Sequence, residues 1–227
     1  MLTAIIVAAG SSQRMGFDKL FALLGDKPVV AHTLDAFESA ACVDEVILVG
    51  RADRLAELQE LVKRAGLRKV RDVIPGGEHR QDSVGAGLNA LAPEARYVAV
   101  HDAARPLVTP ALIGRVFTHC QAHGAAALAE PITDTIKRAD QECFVCGGVD
   151  RAGLYAMQTP QIFSRDLLVK AYAAVTAGKL SITDEVSAIE LLGAKVVLVP
   201  NDEFNPKITY PRDLLLAQAV LSRRYSS

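Results

Sequence analysis

Short apolar runs that alternate with amphipathic segments constrain the fold of this chain more than any other feature. The runs that predict buried strands are Ala4–Val7, Glu45–Gly50, Val70–Ile74, Tyr97–Val100, Ala125–Ile132 and Lys195–Val199. Apolar residues at helical spacing predict helices between them, for example from Pro28 to Ala41. Strands of this kind are typical of a mostly parallel sheet covered by helices on both faces. The sequence therefore predicts an α/β fold, whose ligands bind beyond the carboxyl ends of the strands.

The bulk properties indicate one soluble domain. A length of 227 residues is enough for one full core, so we expect a single domain over 1–227. The formal net charge of −1 gives no reason to expect binding to nucleic acid or to an anionic membrane surface. The chain contains neither a membrane-spanning run of about 18 apolar residues nor a secretory signal at its start. These features predict a cytoplasmic protein.

Four cysteines fit a reduced chain in the cytoplasm. Cys143 and Cys146 have the C-x-x-C spacing that zinc and redox sites use. Neither a second pair nor a histidine cluster accompanies them, so ordinary thiols are favoured over a metal or redox role.

The segment 8–19, which follows the first predicted strand, has the composition of a phosphate-binding loop. Small and hydroxyl residues let its backbone amides approach a ligand closely, and converging amides favour anions. Arg14 and Lys19 add two cations, which bind phosphates strongly. The spacing is neither that of a P-loop nor that of the dinucleotide fingerprint. The loop thus predicts a triphosphate site, with a plain tight turn as the alternative.

Two more polar loops follow predicted strands. After Gly77, the side chains of Arg80, Asp82 and Ser83 suit the binding of a planar base, although Asp82 or Ser83 would equally cap a helix. Asp102 follows the predicted strand Tyr97–Val100, where a carboxylate would bind a metal or a substrate hydroxyl, or would pair with Arg105 and fix the turn.

The segment 133–157 interrupts the alternation of strands and helices. Residues 135–138 and 143–146 resemble two short β segments of a hairpin, which predicts a β arm that serves as a lid or in dimerisation. Thr109 is expected to cap the helix that runs to His119. Further along, Thr183 or Asp184 is expected to cap a helix, and capping accounts for Asp184 and Glu185 without any chemistry.

The polar loops are rich in Arg and Lys, and no catalytic nucleophile or metal-ligand cluster stands out among them. This composition suits phosphoryl or nucleotidyl transfer, in which the protein positions phosphates and offsets their charge.

Seven stretches in register resemble the 2-C-methyl-D-erythritol 4-phosphate cytidylyltransferase family. They are AAGSSQRMGFDK (8–19), GGEHRQDSV (76–84), VHDAARP (100–106), DTIKRA (134–139), VDRAGLYAMQTPQ (149–161), ITDE (182–185) and PKIT (206–209). The resemblance implies CMP transfer from CTP to 2-C-methyl-D-erythritol 4-phosphate with Mg²⁺ as the cofactor. It also implies a Rossmann-like sheet of the nucleotide-diphospho-sugar transferase type, and an extended β arm that clasps a second subunit in a homodimer.

The same resemblance implies roles for individual residues. The triphosphate would be held by Ala8, Ala9, Gly10 and Ser11. The catalytic cations would be Arg14, Lys19 and Lys207, the last of them on the α-phosphate. Cytosine and ribose would lie near Gly77, Asp82, Ser83 and Ala103. Methylerythritol phosphate would face Asp102, Arg105 and Thr183, together with Thr135 and Arg151 from the arm of the other subunit. No protein ligand of the metal is implied, because the CTP phosphates would hold Mg²⁺.

Three alternatives remain at this point. A cytidylyltransferase for ribitol 5-phosphate or another polyol phosphate would share the fold and the mechanism. A non-catalytic nucleotide-binding protein is disfavoured, because a binder has little need of Arg14, Lys19 and Lys207 around one phosphate. An NAD-dependent oxidoreductase is disfavoured by the missing fingerprint.

Overall fold

The structure, a computed structural model, describes residues 1–10 and 15–225. Its strands are β1 (Leu2–Ala8), β2 (Leu23–Leu24), β3 (Lys27–Pro28), β4 (Glu45–Gly50), β5 (Val70–Pro75), β6 (Tyr97–Asp102), β7 (Ala125–Pro131), β8 (Ile136–Ala139), β9 (Val145–Val149), β10 (Tyr155–Ser164) and β11 (Val197–Pro200). Its α-helices are α1 (Val29–Ser39), α2 (Leu55–Ala65), α3 (Arg80–Asn89), α4 (Pro110–His123), α5 (Arg165–Gly178), α6 (Glu185–Glu190) and α7 (Pro211–Tyr225).

Seven strands form one central sheet in the order β11-β7-β10-β6-β1-β4-β5. Strands β6, β1, β4 and β5 are parallel, and β11 is parallel to β7. Strand β10 lies between β6 and β7 and is antiparallel to both. The predicted mostly parallel α/β sheet is therefore confirmed, with one internal strand of opposite direction.

Helices cover both faces of this sheet, as the apolar strands predict. Adjacent residues of β1 point to opposite faces, so Ile6 belongs to the apolar cluster that includes α1, α2, α4 and α7, while Ile5 belongs to the cluster that includes α3, α5 and α6. Both side chains are fully buried. This double covering leaves the strand ends as the places where polar groups meet a ligand.

Strand β10 is the element that sequence reasoning missed. Its centre contains Gln158, Thr159, Pro160 and Gln161, a polar run of the kind that favours a loop. The polar side chains are buried and hydrogen-bonded instead, and Gln158 Oε1 accepts from both Asn201 and Asn205. Tertiary hydrogen bonds thus allow a polar sequence to occupy the interior of the sheet.

Three helix starts test the capping predictions. Thr109 caps α4 by accepting from Leu112 N–H at 3.2 Å, and Asp184 caps α6 by accepting from Ser187 N–H at 3.0 Å, so both expectations are confirmed. The prediction for α3 is wrong, because this helix begins at Arg80 with His79 as the N-cap residue. Asp82 lies within the first turn, and its carboxylate accepts from His79 N–H at 2.9 Å.

The predicted arm is a two-stranded antiparallel ribbon, β8 with β9, separate from the central sheet. Its second strand begins at Val145, two residues later than expected. Every residue from 133 to 154 is exposed or half-exposed. The side chains of Phe144 and Val145 are each 67% exposed, so apolar surface lies open on the arm.

All four cysteines have free thiols. Burial raises the pKa of the Cys120 thiol to about 12. Among residues 1–10 and 15–225, no helix has both the length and the apolar character needed to cross a membrane.

Candidate active site

A cavity of about 530 Å³ lies beyond the carboxyl ends of β1, β5 and β6. It is lined by Val7, Ala8, Ala9, Gly10, Met15, Lys19, Leu20, Gly77, Glu78, His79, Arg80, Ser83, Asp102, Ala104, Lys207 and Thr209. Four segments that are far apart in sequence (7–10 with 15–20, 77–83, 102–104 and 207–209) therefore meet here, at the strand ends where an open α/β sheet binds its ligands.

The first wall of the cavity is the loop after β1. Ala8, Ala9 and Gly10 lead out of the strand, and Lys19 follows where the loop returns. Lys19 Nζ donates to the backbone carbonyl of Ile208 at 2.8 Å, which ties this loop to the segment that carries Lys207. The predicted residues Ser11 and Arg14 lie outside the described residues.

The second wall is the turn between β5 and α3. Gly77 N–H donates to Ser83 Oγ at 3.2 Å, so the hydroxyl fixes the turn. A Cβ at Gly76 would lie 2.6 Å from both Ala9 Cβ and Ser83 Oγ, closer than atoms can pack. Glycine at position 76 therefore lets the two walls approach each other.

Asp102 forms the charged floor of the cavity at the end of β6, and it is only 7% exposed. Its Oδ1 accepts from Arg80 Nε at 3.0 Å, and its Oδ2 lies 2.8 Å from Lys207 Nζ and 4.0 Å from Arg105 Nε. Burial alone would raise the pKa of Asp102, but the charges of Arg80, Lys207 and Arg105 hold it well below its usual range. Asp102 is thus a carboxylate throughout the physiological pH range.

Arg80 joins this floor to a second buried carboxylate. Its Nη1 and Nη2 donate to the two oxygens of Glu185 at 2.7 and 3.0 Å, and Tyr172 Oη donates to Glu185 Oε1 at 2.9 Å. Burial alone would lower the pKa of Arg80, but Glu185 and Asp102 outweigh it and raise that pKa above its ordinary value. Glu185 therefore does more than the capping that the sequence suggested, since Asp184 supplies the cap.

A chain of hydrogen bonds beneath the floor fixes the end of β6. Asp102 N–H donates to Thr159 Oγ1 at 3.1 Å, and that hydroxyl lies 3.0 Å from His101 Nδ1. His101 Nε2 lies 3.3 Å from the carbonyl oxygen of Arg105, which only accepts, so Nε2 carries the proton and Nδ1 accepts from Thr159. Burial lowers the pKa of His101 to about 3, in agreement with this neutral tautomer.

The cavity brings together most of the predicted site residues but not all of them. Those that line it are Ala8, Ala9, Gly10, Lys19, Gly77, Ser83, Asp102 and Lys207. Those that do not line it are Asp82, Ala103, Arg105, Thr135, Arg151 and Thr183.

Four of the residues outside the lining belong to the cavity's surroundings. Asp82 lies in the first turn of α3 and accepts from His79 N–H, and Ala103 is fully buried, with its N–H donating to the carbonyl of Val7. Arg105 Nη1 donates to the carbonyl of Asn205 at 2.8 Å, while its buried Nε has no hydrogen-bond acceptor among the described residues. Thr183 is exposed just before α6.

The other two, Thr135 and Arg151, lie on the exposed arm. Arg151 donates from Nη1 to the backbone carbonyl of Thr133 and so holds the two edges of the arm together at its base. Neither residue contributes to the cavity of its own chain.

Sequence reasoning missed several residues of the site. Glu78, His79 and Thr209 lie next to predicted residues and were passed over because no single chemistry demands them. Arg80 was predicted only as part of a base-binding loop, and its ion pairs with Asp102 and Glu185 were not anticipated. Glu185 was inaccessible to local reasoning, since its partner Arg80 is 105 positions away.

The described residues offer no ready-made metal cage. No group of three or more His, Cys, Asp or Glu within residues 1–10 and 15–225 could hold a metal ion. Asp102, the carboxylate of the cavity floor, is already surrounded by three cationic side chains. A divalent ion would fit this cavity only with most of its ligands supplied by a bound phosphate chain or water.

Comparisons with known proteins agree on one family. The family model described as 2-C-methyl-D-erythritol 4-phosphate cytidylyltransferase matches residues 2–223. A protein of that name from Pelotomaculum thermopropionicum is 41% identical over 226 residues, which cover 98% of this chain and 95% of the relative. The relative has nearly the same extent as this chain.

Solved structures give the same result for the fold. The crystal structure of 4-diphosphocytidyl-2C-methyl-D-erythritol synthase from Anaerococcus prevotii superposes with a TM-score of 0.85 at 29% identity, covering 97% of this chain and 98% of the other. The crystal structure of 2-C-methyl-D-erythritol 4-phosphate cytidylyltransferase from Thermus thermophilus gives a TM-score of 0.80 at 31% identity, covering 96% and 98%.

Proposed function

The chain belongs to the 2-C-methyl-D-erythritol 4-phosphate cytidylyltransferase family, and we propose that the cavity between β1, β5 and β6 is its active site. The reaction transfers CMP from CTP to the phosphate of 2-C-methyl-D-erythritol 4-phosphate and releases pyrophosphate. The product is 4-diphosphocytidyl-2-C-methyl-D-erythritol, in the non-mevalonate route to isoprenoids.

The convergence of Lys19, Lys207 and the loop after β1 on one cavity carries this proposal. Attack on the α-phosphorus brings one anionic phosphate toward a triphosphate. The repulsion between such anions is severe where water is excluded, so cations must be in place before the reaction. Lys19 and Lys207 come from opposite ends of the chain and are joined by the 2.8 Å hydrogen bond from Lys19 to Ile208.

Each cation has a proposed place in the reaction. The amides of Ala8, Ala9, Gly10 and Ser11 bind the triphosphate, with Arg14 and Lys19 offsetting charge in the five-coordinate transition state. Lys207 contacts the α-phosphate, and to do so its ammonium leaves Asp102 Oδ2, which it meets at 2.8 Å here. The substrate phosphate attacks in line with the departing pyrophosphate.

The reaction needs no general base. A phosphate monoester is largely ionised near pH 7, because its second pKa is about 6. The nucleophile therefore arrives already deprotonated. This accounts for a site whose buried histidine, His101, lies beneath the cavity floor, is neutral and is occupied in structural hydrogen bonds.

The turn between β5 and α3 is the proposed nucleoside site. Gly77 and Ser83 line the cavity there, so they are placed to contact cytosine and ribose. Asp82 and Ala103 are proposed to support that site from behind, since Asp82 accepts from His79 N–H at the start of α3 and Ala103 is fully buried.

Mg²⁺ is the proposed cofactor, and it would enter with the nucleotide. No residue of the chain is assigned as its ligand, because Asp102 is already paired with cations and the triphosphate offers the oxygens that Mg²⁺ prefers. When bound, the ion neutralises charge on the triphosphate and on the departing pyrophosphate.

Methylerythritol phosphate is proposed to bind across a subunit boundary. Asp102, Arg105 and Thr183 belong to one chain, and Thr135 and Arg151 on the arm would complete the site of a second chain. The proposed homodimer is supported by the open apolar surface of the arm, where Phe144 and Val145 are each 67% exposed. A cytoplasmic location is also proposed, which the four free thiols support.

The test is pyrophosphate release from CTP and Mg²⁺, with methylerythritol phosphate and ribitol 5-phosphate supplied in parallel reactions. Release with methylerythritol phosphate alone is the expected result. Release with ribitol 5-phosphate alone would agree with the proposed mechanism but contradict the assignment of the substrate. CTP binding without pyrophosphate release in either reaction would indicate a non-catalytic nucleotide-binding protein.

A further inference from the structure

Glu185 is a fully buried carboxylate that has no part in the reaction described above. It accepts three hydrogen bonds, two from Arg80 and one from Tyr172. Taking a carboxylate out of water is costly even when it is well paired, and an apolar side chain often stabilises such a position as well or better. Packing of α6 therefore does not account for a charge at this position.

Arg80 lies between the carboxylates of Asp102 and Glu185, and a different edge of its guanidinium group faces each of them. Its two terminal nitrogens are held by Glu185, while Nε donates to Asp102 Oδ1 at 3.0 Å. A lysine has a single ammonium and would not hold two carboxylates in this fixed arrangement. As a result, Arg80 contacts only one oxygen of Asp102, and Oδ2 is left to Lys207.

The position of Glu185 is itself fixed from two directions. Buried Gln161 of β10 donates to Asp184 Oδ2 at 2.9 Å and accepts from Val186 N–H at 3.3 Å, so it fastens the first turn of α6 to the sheet. Gln81 of α3 donates to the carbonyl of Leu180 and accepts from Ile182 N–H. The segment before Thr183 is thus fastened to α3, and the segment after it is fastened to β10.

We propose that Glu185 is a positioning residue for the polyol phosphate. It holds the terminal nitrogens of Arg80, so that Arg80 occupies one oxygen of Asp102 and leaves the other as the acceptor for a substrate hydroxyl. In the absence of substrate, the ammonium of Lys207 occupies that second oxygen. This inference rests on the proposed function for the identity of the hydroxyl, and on the geometry alone for the link from Glu185 to Asp102.

Glu185→Gln tests the link, because it removes the charge and keeps the shape. Arginine prefers to bind a carboxylate through two parallel hydrogen bonds. Once Glu185 is neutral, Arg80 is expected to turn onto both oxygens of Asp102 and to displace Lys207. The acceptor for the substrate would then be blocked.

Steady-state kinetics give the first measurement. We expect Glu185→Gln to raise KM for methylerythritol phosphate about 10-fold or more while KM for CTP changes less than about twofold. Glu190→Gln is the matched control, since it makes the same change at an exposed position of the same helix. Equal effects on both substrates, or a lower melting temperature with both KM values unchanged, would overturn the proposal and leave Glu185 a structural residue.

A double-mutant cycle tests whether Glu185 acts through Arg80. In an Arg80→Met background, Glu185→Gln is expected to change KM for methylerythritol phosphate less than about twofold, because its only route to Asp102 is gone. Additive effects would contradict the link. If Glu185→Gln does not fold, Tyr172→Phe removes one of the three donors without altering charge. It is expected to raise the same KM about 2- to 5-fold, and an unchanged KM would count against the proposal.

Acylation of lysines by acetic anhydride provides a readout that does not depend on activity. An amine held by a carboxylate reacts more slowly than one that is not. Mass spectrometry of peptides should show faster modification of Lys207 in Glu185→Gln than in the parent protein, relative to exposed Lys195. An unchanged ratio would refute the link from Glu185 to Asp102. If the parent protein releases no pyrophosphate with either polyol phosphate, the proposed function fails and this ratio alone decides the inference.

Discussion

The cavity and the arm differ in whether the chain itself provides partners for the side chains that lie there. In the cavity, Asp102 is 7% exposed and lies within 4.0 Å of three cationic groups. On the arm, Phe144 and Val145 are each 67% exposed, so residues 1–10 and 15–225 leave most of both side chains uncovered. The cavity is therefore organised before any ligand arrives, whereas the apolar surface of the arm would need another molecule to cover it, as the proposed homodimer supplies.

The largest expected effect belongs to the preorganised cavity. Lys207→Ala and Lys19→Ala should each lower kcat by about 10³-fold while the dissociation constant for CTP changes less than about 10-fold, because they act on charge that develops in the transition state. Single-turnover kinetics and calorimetric titration with CTP provide the two values. Lys27→Ala is the control, since Lys27 pairs with Asp35 on an exposed part of the surface. A loss confined to CTP affinity would contradict the assigned role.

The next effect tests whether the arm completes the site of another subunit. Arg151→Ala should lower kcat/KM for methylerythritol phosphate about 10²-fold, the scale expected when a residue that positions substrate is removed. In a dimer of one Arg151→Ala chain with one Lys19→Ala chain, one of the two sites has both residues, so such heterodimers should have about half of the parent activity. A random mixture, in which about half of the dimers are heterodimers, should have about a quarter. Mixtures that recover nothing would show that Arg151 does not act on a partner's site.

A smaller effect concerns the surface of the arm alone. Replacing Phe144 and Val145 by Ser should weaken the dimer at least about 10-fold, since burying each such side chain contributes roughly 1.5 to 3 kcal/mol. Sedimentation equilibrium measures the change. Leu191→Ser, at an apolar side chain that is 51% exposed and lies away from the arm, is the control. Equal weakening by both changes would argue against the arm as the dimer contact.

The smallest effect lies beneath the cavity, at His101. The pKa of this group is lowered to about 3 in the folded state from an ordinary value of 6.5, so the unfolded chain binds a proton first as the pH falls. Stability is therefore full above pH 6.5 and is lost below it, by about 1 kcal/mol between pH 6.5 and 5.5. Urea unfolding at several pH values should show this slope, and His101→Gln should lack it. The arm has no buried group of this kind, so arm variants should keep the slope.

Much of the fold follows from local patterns in the sequence. The apolar runs that became β1, β4 and β6 are recognisable because both faces of these strands are buried. The capping residues Thr109 and Asp184 are recognisable because their interactions extend only three positions.

The features that escaped prediction depend on distant partners. Strand β10 carries Gln158 and Gln161 in the interior, and their acceptors and donors come from segments 23 to 47 positions away. The pair of Arg80 and Glu185 spans 105 positions. Local periodicity contains no information on such pairs, because either residue alone has the pattern of an exposed turn or a helix start.

The direction of β10 has a consequence for the length of the arm. Strand β10 is antiparallel to β7, and Tyr155 pairs with Pro131. The two ends of the arm therefore lie side by side, at paired residues of neighbouring strands. The closure entropy of such a segment rises slowly, by about 0.6 kcal/mol for each doubling of its length. Insertions and deletions between 133 and 154 should therefore alter what the arm reaches without loosening the sheet that carries it.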